Sequence, residues 1–404
     1  MLVSLVMFAV GQPNADWQDL FDGKTLDGWT RRGGEANYRV ENGVLVGSTV
    51  PNTSNTFLCT EKIYGDFELE FEVKVHTELN SGVQIRSNSV LGYQNGRVHG
   101  YQVEIDPSER AYSGGVYDES RRGWLQDLSD NEAGRNAFRN GEWNQFRVVA
   151  VGDHIQVWVN GVSTADLHDD MTRHGFIGLQ VHGVGSREDA LEVRWRNIRI
   201  KDMGVPGVVP PEGATVLLAS PADMAKWEVS GKPGEDIGWE WKDGYLEVVP
   251  GTGSIVTRKT YTSCILHVEF AVDENNRSGQ ANGNSGVYLQ GRYEVQILNS
   301  AGQEPADNIA GGIYGVRAVD FNMAYPAYEW QSFDIYFTAP KWDGNTKLSN
   351  AMMTVFHNGT LIHRDVSISK GTTAGYAEDT APAPIYLQNH GNRIRFRNIW
   401  ILPQ

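Results

Sequence analysis

The most constraining feature of this chain is that its second half repeats the first. Six landmarks occur in order in the first half: Asn80-Ser81-Gly82, Gly114-Gly115-Val116-Tyr117, Glu142-Trp143, Asn160-Gly161, Leu179-Gln180-Val181-His182-Gly183 and Arg196-Asn197-Ile198. They return in the same order as Asn284-Ser285-Gly286, Gly311-Gly312-Ile313-Tyr314, Glu329-Trp330, Asn358-Gly359, Leu387-Gln388-Asn389-His390-Gly391 and Arg397-Asn398-Ile399. This order indicates two copies of one domain, whose polar residues can be compared position by position.

The spacing of the landmarks divides the 404 residues into four segments. We expect a targeting segment at 1–16, a first domain at 17–203, a linker at 204–213 and a second, diverged domain at 214–404. The linker prediction rests on Val205-Pro206-Gly207 and Pro210-Pro211, a short and semi-rigid composition. Each copy is long enough to bury a core of its own.

The first residues are similar to an export signal. The apolar run at residues 2–10 is far too short to span a bilayer. It resembles the apolar part of a secretory signal, although the basic residues that usually precede that part are missing. We therefore expect an exported protein, periplasmic or extracellular, with no membrane span.

Composition excludes some classes of partner. The net charge of −15 argues against a nucleic-acid partner, because no basic stripe exists to neutralise phosphates. The 12 Trp and 16 Tyr keep a carbohydrate ligand open, since exposed rings stack on flat sugar faces. The two cysteines, Cys59 and Cys264, fall at non-equivalent positions of the copies, so we expect separate buried thiols and no metal signature.

Hydrophobic periodicity predicts an all-β chain. Short runs alternate apolar and polar residues at 67–73, 154–159 and 191–195, and Gly, Asn and Asp separate such runs. Asn160-Gly161 and Asn358-Gly359 predict hairpins, because Asn-Gly supplies the positive φ angles of a tight turn. The predicted fold class is two tandem jelly-roll β-sandwich domains built from antiparallel strands.

Alternation also predicts which side chains share a face. In three strands of the first copy, long hydrogen-bonding side chains lie opposite the apolar ones. These side chains are Gln84 and Arg86, then Gln102, Glu104 and Asp106, then Gln180 and His182. If the strands share a sheet, they build a curved polar surface that could bind a ligand. The alternative is an ordinary solvated outer face of an antiparallel sheet.

The second copy keeps a similar polar set with different members. Tyr288 and Gln290 replace Gln84 and Arg86, Glu294 and Gln296 replace Gln102 and Glu104, and Gln388 and His390 match Gln180 and His182. Asp106 aligns with Leu298, so the copy at 17–203 has a cation and a carboxylate that the other copy lacks. We expect that first domain to be the better equipped, with activity in both copies, or one site built across the two, left open.

The opening motif resembles a known family. Its residues are Trp17-Gln18-Asp19-Leu20-Phe21-Asp22-Gly23-Lys24-Thr25-Leu26-Asp27-Gly28-Trp29. With Asn80-Ser81-Gly82, Glu142-Trp143-Asn144 and Arg196-Asn197-Ile198-Arg199-Ile200, this motif is similar to the 3-keto-disaccharide hydrolase family. The resemblance covers nearly the whole chain, although the opening of the second copy, 219–227, departs from the family's usual start. It implies an exported bacterial protein with a concanavalin-like jelly-roll fold that cleaves glycosides oxidised to a ketone at C3.

The resemblance implies a base, a stabiliser for an enolate oxygen and an acid for the leaving oxygen. Candidate bases are Glu104 and His182, Arg86 with Gln102 or Gln84 is the candidate oxyanion group, and Asp106 would orient His182 or help to bind a cation. The candidate substrate-binding residues are Asn80, Gln84, Gln102, Tyr117, Gln180, Glu294, Gln296, Gln388 and His390. A divalent ion such as Ca²⁺ is plausible near acidic loops, but no ligands can be named.

Two other functions are compatible with the motifs and the predicted fold. Glu104, Asp106 and Glu109 match the E-x-D-x-x-E strand of retaining glucanases, in which the Glu104/Glu109 pair would act, although Pro107 interrupts the strand. Jelly-roll sandwiches also serve as non-catalytic tandem carbohydrate-binding, lectin-like proteins.

Overall fold

The structure is a computed structural model that describes residues 14–275, 277–372 and 375–404. Most of the predicted targeting segment 1–16 therefore lies outside the described residues. The described residues form two compact units, one made of residues 14–89 and 97–208 and the other of residues 90–96 and the described part of 209–404. We call them the first and the second domain, and each has a hydrophobic core of its own.

The first domain consists of short strands and one turn of helix. The strands are β1 (Asn14–Asp19), β2 (Trp29–Gly33), β3 (Asn37–Glu41), β4 (Val44–Ser48), β5 (Thr56–Thr60), β6 (Asp66–Val75), β7 (Ser81–Asn88), β8 (His99–Ile105), β9 (Val116–Glu119), β10 (Gly123–Gln126), β11 (Asn144–Val151), β12 (His154–Val159), β13 (Val162–His168), β14 (Phe176–Val181) and β15 (Glu192–Gly204). Helix α1 (Glu132–Arg135) is capped by Asn131, which accepts from the Gly134 amide.

These strands form two antiparallel sheets around the core. The outer sheet has the order β13-β12-β11-β6-β15-β4-β3, with β1 added on β15. The inner sheet has the order β10-β9-β8-β7-β14-β5-β2. Side chains of β6 alternate between buried and partly exposed along the strand, as the periodicity of residues 67–73 predicts.

The second domain repeats this plan with a smaller inner sheet. Its strands are β16 (Thr215–Leu218), β17 (Trp227–Val229), β18 (Glu240–Lys242), β19 (Tyr245–Glu247), β20 (Ile255–Tyr261), β21 (Cys264–Val272), β22 (Ser285–Leu289), β23 (Tyr293–Ile297), β24 (Gln331–Thr338), β25 (Lys341–Asp343), β26 (Thr346–Ser349), β27 (Ala351–His357), β28 (Thr360–Ile368), β29 (Ala383–Leu387) and β30 (Ile394–Pro403). Two 3₁₀ turns lie at Pro221–Lys226 and Gly279–Ala281.

The outer sheet of the second domain has the order β18-β19-β30-β21-β24-β27-β28, and its inner sheet has the order β17-β20-β29-β22-β23. The predicted fold class, all-β with two tandem jelly-roll sandwiches, is confirmed. Among the described residues, no helix is long and apolar enough to cross a membrane. Cys59 and Cys264 are buried free thiols, as predicted.

Both Asn-Gly hairpins form as predicted. Asn160 and Gly161 have φ angles of 49° and 82° between β12 and β13, and Asn358 and Gly359 have 49° and 73° between β27 and β28. The Asn160 side chain also donates to the Ala137 carbonyl at 2.9 Å and accepts from the Gln145 amide at 2.9 Å. The Asn160 side chain therefore stabilises the turn and links it to β11 by a hydrogen bond.

Two further landmarks stabilise the outer sheets. The Arg196 guanidinium lies 4.1 Å from the Trp143 ring centre, and Arg397 lies 3.9 Å from Trp330. The following asparagine, which has a positive φ in both copies, donates to a strand glutamate: Asn197 to Glu72 and Asn398 to Glu269. These repeated residues therefore stabilise the scaffold.

Candidate active site

One side of the first domain's inner sheet faces the core and the other carries polar side chains. Val83, Ile85, Tyr101 and Val103 lie in the core. Gln84 and Gln102 oppose each other on β7 and β8, as do Gly82 and Glu104, on the side away from the core. We call this side the polar face. The predicted alternation of Gln102 and Glu104 against Tyr101 and Val103 is therefore observed.

A row of hydrogen bonds on the polar face ends at Glu104. Gln84 Nε2 donates to Gln102 Oε1 at 2.7 Å, and Gln102 Nε2 donates to Glu104 Oε2 at 2.8 Å. Asn80 Nδ2 donates to Glu104 Oε1 at 2.7 Å. The Glu104 side chain is 4% exposed, and this burial raises the pKa of its carboxyl above the ordinary value, against the lowering effect of the Asn80 and Gln102 hydrogen bonds.

Gly82 explains why the repeated Asn-Ser-Gly landmark ends in glycine. A Cβ atom at Gly82 would lie 2.5 Å from Gln102 Cδ, so the Gln102 side chain can lie flat over the strand only if this position has no side chain. At the matching Gly286, a Cβ would lie 2.3 Å from Glu294 Oε1. In both copies this glycine makes room for a polar side chain of the neighbouring strand.

Asp106 does not have the role that the sequence suggested. It follows the end of β8, where its carboxylate accepts from Arg110 Nε at 2.7 Å and from the Ser108 amide at 3.1 Å. Burial raises the pKa of Asp106, but the hydrogen bonds from Ser108 and Arg110 outweigh it and the pKa falls. The prediction that Asp106 orients His182 is wrong, because the residues that it binds are Arg110 and Ser108. Arg110 also approaches Glu104, at 3.5 Å.

Arg86 is absent from the polar face, which corrects a second prediction. Its φ of 46° and the register shift between β7 and β14 turn the side chain away. The guanidinium is fully buried and donates to the Gly65 and Gly152 carbonyls at 2.7 Å each and to Asp66 at 2.9 Å. Arg86 therefore stabilises the scaffold and cannot hold an oxyanion.

His182 lies just beyond the end of β14, beside a carboxylate that the sequence did not reveal. Its Nδ1 is 2.8 Å from the Gly183 carbonyl, an acceptor, so Nδ1 carries a proton. Glu119 of β9 lies within electrostatic reach of His182 and hydrogen-bonds Asn55. Burial raises the pKa of Glu119. The period-two pattern from Tyr117 would have placed Glu119 on this face.

Gln180 is the most unusual residue of the polar face. Its side chain is fully buried, and neither its Oε1 nor its Nε2 has a hydrogen-bond partner among the described residues. Leu179 opposes Val83, which places Gln180 beside Gly82. The apolar side chains of Phe57, Cys59, Val98 and Phe176 form a small cluster next to it. An orphaned amide of this kind needs an explanation, and a bound polar ligand would satisfy it.

Aromatic rings border the polar face at its β10 edge. The Trp124 ring meets Tyr117 at 5.2 Å and Tyr112 at 5.3 Å, both edge to face. The Arg110 guanidinium lies 5.3 Å from the Trp124 ring centre. Tyr117 and Trp124 are half-buried, so part of each ring is open to a ligand.

The inner sheet of the second domain has a different arrangement. Tyr288 opposes Glu294, and Gly286 opposes Gln296. Gln388 Nε2 donates to the Tyr288 hydroxyl at 3.0 Å, and that hydroxyl hydrogen-bonds Glu294. Burial raises the pKa of Glu294 to about 7.

The remaining predicted residues of the second domain have separate positions. Gln296 Nε2 donates to Asn284 Oδ1 at 3.2 Å. His390 is exposed after β29. Gln290, like Arg86, has a positive φ and donates to a backbone carbonyl, that of Tyr261, at 3.1 Å.

The geometry argues against the glucanase pair. β8 ends at Ile105, and Glu109 lies exposed in the turn that follows Pro107. Glu104 and Glu109 are therefore not on one face of one strand, as a retaining pair on this motif requires. Across the described residues, no group of three or more His, Cys, Asp and Glu side chains could hold a metal ion, and the Ca²⁺ prediction stays a prediction.

Comparisons with known proteins agree with the resemblance found in the sequence. The model of one family, described as the 3-keto-alpha-glucoside-1,2-lyase-like domain, matches residues 16–201 and again residues 214–402. None of the curated proteins matches the chain.

Several solved structures are similar to part of the chain. A candidate glycosyl hydrolase from Parabacteroides distasonis is 30% identical, with 48% of this chain and 85% of that chain covered and a TM-score of 0.44. A carbohydrate binding module from Bacillus subtilis is 14% identical, with 43% and 96% covered and a TM-score of 0.30. A Bacillus subtilis protein of unknown function with a galectin-like fold is 11% identical, with 49% and 99% covered and a TM-score of 0.36.

Proposed function

We propose, from the premise that this chain belongs to the 3-keto-alpha-glucoside-1,2-lyase-like family in both of its halves, that it cleaves glycosides whose sugar carries a ketone at C3. The observation that carries the proposal is the Glu104 carboxyl. It is buried, it has a raised pKa, and Asn80 and Gln102 hold it in one orientation. These are the properties of a positioned general base.

The chemistry requires such a base. A ketone at C3 acidifies the hydrogen on C2, so removal of that proton leaves an enolate with its charge on the C3 oxygen. When the enolate collapses, a C1–C2 double bond forms, the C1–O1 bond breaks and the leaving oxygen takes a proton. Water then adds at C1 and a proton returns to C2, which gives net hydrolysis.

Glu104 is the residue that we assign to the C2 proton. A base works best when its pKa lies near the working pH, and burial moves the pKa of Glu104 in that direction. The reaction should therefore slow at acidic pH, where Glu104 is protonated and cannot accept the proton.

Gln180 and His182 are the residues that we assign to the oxygens. The amide donors of Gln84 and Gln102 already point along the row towards Glu104, whereas Gln180 Nε2 has no hydrogen-bond partner among the described residues and can donate to the enolate oxygen. His182 donates through Nδ1 to Gly183, which leaves Nε2 for proton exchange with the leaving oxygen. Tyr117 and Trp124 would hold the sugar ring at the edge of the face.

The test is cleavage of a 3-keto-disaccharide and of its unoxidised parent by the purified full chain. We expect cleavage of the keto sugar alone, and a loss of about 10²-fold or more in kcat for Glu104→Gln. Glu70→Gln, which changes a carboxylate of the outer sheet that pairs with Arg199, is the matched control and should keep full activity. Full activity in both Glu104→Gln and His182→Ala would refute the assignment.

One feature favours a second candidate function, that of a carbohydrate-binding protein without turnover. Trp124, Tyr117 and Tyr112 with Arg110 form an aromatic, cationic edge suited to stacking on sugar rings. Binding of both sugars with no cleavage of either, unaffected by Glu104→Gln, would favour this function.

Export and metal dependence belong to the same proposal. The apolar run at residues 2–10 supports export, and the N-terminal sequence of protein recovered outside the cytoplasm would test it. Ca²⁺ dependence would appear as loss of turnover in chelator that added Ca²⁺ restores.

A further inference from the structure

We infer that the second domain has a carbohydrate-binding site of its own, in which Glu294, Tyr288 and Gln388 contact the sugar and Tyr314 and Tyr386 provide ring surfaces. The inference rests on the proposed function only in taking a neutral glycoside as the ligand. It concerns residues that the reaction proposed for the first domain does not use.

The two copies exchange a carboxyl and an amide between matching positions of this face. On β8 the carboxyl is Glu104, opposite Gly82, whereas on β23 it is Glu294, opposite Tyr288. A carboxyl is thus present on the same face in both copies, moved along the strand by two residues. A degenerate copy under no functional demand would have no reason to keep a buried carboxyl on this face, because burial of such a group is costly.

The hydrogen bonds through Tyr288 run in one direction. Gln388 Nε2 donates to the Tyr288 oxygen at 3.0 Å, so the Tyr288 hydroxyl must donate onward, to Glu294. The chain of donors ends at the carboxyl. Gln388 Oε1, at the other end, is buried and has no partner among the described residues. One sugar hydroxyl could donate to Gln388 Oε1, and another sugar oxygen could accept from the protonated Glu294 carboxyl.

The Glu104 and Glu294 carboxyls have different surroundings. Glu104 has the amide donors of Asn80 and Gln102 and the Arg110 cation nearby, which stabilise its anion. The ionisable groups that face Glu294 are phenols: Tyr288 on β22 and Tyr386 on β29. With burial as the main effect, the pKa of Glu294 rises to about 7, so this carboxyl keeps a proton to donate under mildly acidic conditions.

Tyrosine rings lie around Glu294, Tyr288 and Gln388. Tyr288 and Tyr386 meet edge to face at 4.8 Å, and Tyr386 meets Tyr376 at 6.0 Å. Tyr314 and Tyr386 are half-buried, and Tyr376 is 39% exposed. The polar groups thus lie beside tyrosine rings that are partly open to a ligand, a combination suited to an uncharged sugar.

The experiment measures binding of a 3-keto-disaccharide to the full chain carrying Glu104→Gln, so that turnover does not interfere. Isothermal titration at pH 6 and pH 8 gives the stoichiometry and the affinities. We expect two sugars per chain, with one site about tenfold weaker at pH 8 than at pH 6, since the protonated fraction of a group with a pKa of about 7 falls by that factor.

Variants assign the pH-dependent site. Gln388→Ala and Tyr288→Phe should each weaken that site at least tenfold, whereas Glu294→Gln should keep binding and abolish its pH dependence, because an amide donates at every pH. Asp365→Asn, the same type of change at an exposed position of β28 in the outer sheet, is the matched control and should alter nothing.

Two results would overturn the inference: one sugar per chain with no effect of Gln388→Ala or Tyr288→Phe, or a second site whose affinity is unchanged by both variants and by pH. Because Gln388 is only half-buried, a folding defect is not expected there, and circular dichroism checks it. Cleavage by the chain with Glu104 intact is scored separately. Loss of the proposed activity with two-site binding retained would refute the proposed function and leave this inference standing.

Discussion

At the scale of single residues, the two copies each bury a carboxyl, Glu104 or Glu294, in different surroundings. Glu104 is held by amide donors and approached by Arg110, which partly offset the effect of burial, so its pKa is raised while its anion keeps hydrogen-bond partners, as suits a base. Glu294 is desolvated and faces phenols, an environment that favours the protonated form. Burial raises the pKa of both carboxyls, and amide donors and a nearby cation oppose that effect at Glu104.

Replacement of Gly82 should impair turnover without unfolding the domain. A Cβ in Gly82→Ala would lie 2.5 Å from Gln102 Cδ, and the flexible Gln102 side chain would move aside and release Glu104. We expect kcat for a 3-keto-disaccharide to fall about tenfold or more, with a melting temperature close to that of the wild type. Steady-state kinetics and thermal unfolding of the same sample check this, and unchanged kcat would show that the Gln102–Glu104 contact is not needed.

The Glu294 carboxyl should make stability depend on pH. Burial raises its pKa from 4.5 to about 7, so the folded state holds a proton that the unfolded state releases. Its contribution is fully present below pH 4.5 and is lost as pH rises through about 7, a change of about 3 kcal/mol. Urea unfolding of the full chain between pH 4.5 and 8 measures it.

Glu294→Gln should flatten that pH dependence, because the amide does not titrate. Asp365→Asn, at an exposed position of β28, should leave the pH dependence as in the wild type. Equal slopes for the wild type and Glu294→Gln would contradict the assignment of this titration to Glu294.

At the scale of elements, turns and bulges decide which side chains reach the polar face. The Asn-Gly turns set the register of the β12–β13 and β27–β28 hairpins. The positive φ of Arg86 on β7 and of Gln290 after β22 rotates both side chains away from that face in the same manner. One backbone irregularity, present in both copies, thus removes a residue from the site.

Gly161→Ala should lower stability and leave turnover intact. Its Cβ would meet no atom of the described residues within 4 Å, so the cost comes from the φ of 82° and should be about 1 kcal/mol. Urea unfolding measures the loss, and Ser163→Ala, an exposed change in the same hairpin, is the control. A loss of kcat in Gly161→Ala would mean that the hairpin also positions the site.

Arg86→Gln should destabilise the first domain by about 3 kcal/mol, because carbonyls of Gly65 and Gly152 and the carboxylate of Asp66 lose their buried partner. Thermal and urea unfolding measure the loss. Arg31→Gln, which removes an exposed pair with Glu35, should cost less than 1 kcal/mol. If the folded Arg86→Gln protein lost catalysis while its stability matched the control, Arg86 would belong to the site after all.

The sequence predicts the fold well, because alternation and Asn-Gly turns are local signals. It predicts Gln84, Gln102, Glu104 and Gln180 on one face for the same reason. The prediction for Arg86 is wrong, because a single positive φ at a non-glycine residue cannot be read from the alternation of apolar and polar residues.

Longer-range contacts account for the other misses. Arg110 reaches Asp106 and Glu104 from a turn, and Glu119 reaches Asn55 from another strand. No periodicity encodes such contacts. Several landmarks that revealed the repeat, such as Trp143 with Arg196, stabilise the scaffold. The repeated residues therefore predict the fold better than they predict the residues of the active site.

At the scale of the whole molecule, the chain contains two β-sandwich domains of one fold whose polar faces carry different residues around a buried carboxyl. The family match covers 16–201 and 214–402, close to the segments 17–203 and 214–404 that the repeat predicts. The proposed account assigns carbon-acid chemistry to the first domain and sugar binding with a proton-donating carboxyl to the second. The central claim is the first of these, removal of the C2 proton by Glu104.

The most direct test follows a 3-keto-disaccharide in D₂O by NMR with the full chain and with Glu104→Gln. The account predicts cleavage with deuterium at C2 of the released 3-keto sugar, no cleavage of the unoxidised parent, and loss of both cleavage and deuterium incorporation in Glu104→Gln. Cleavage that leaves the original hydrogen on C2, or that proceeds unchanged in Glu104→Gln, would contradict it.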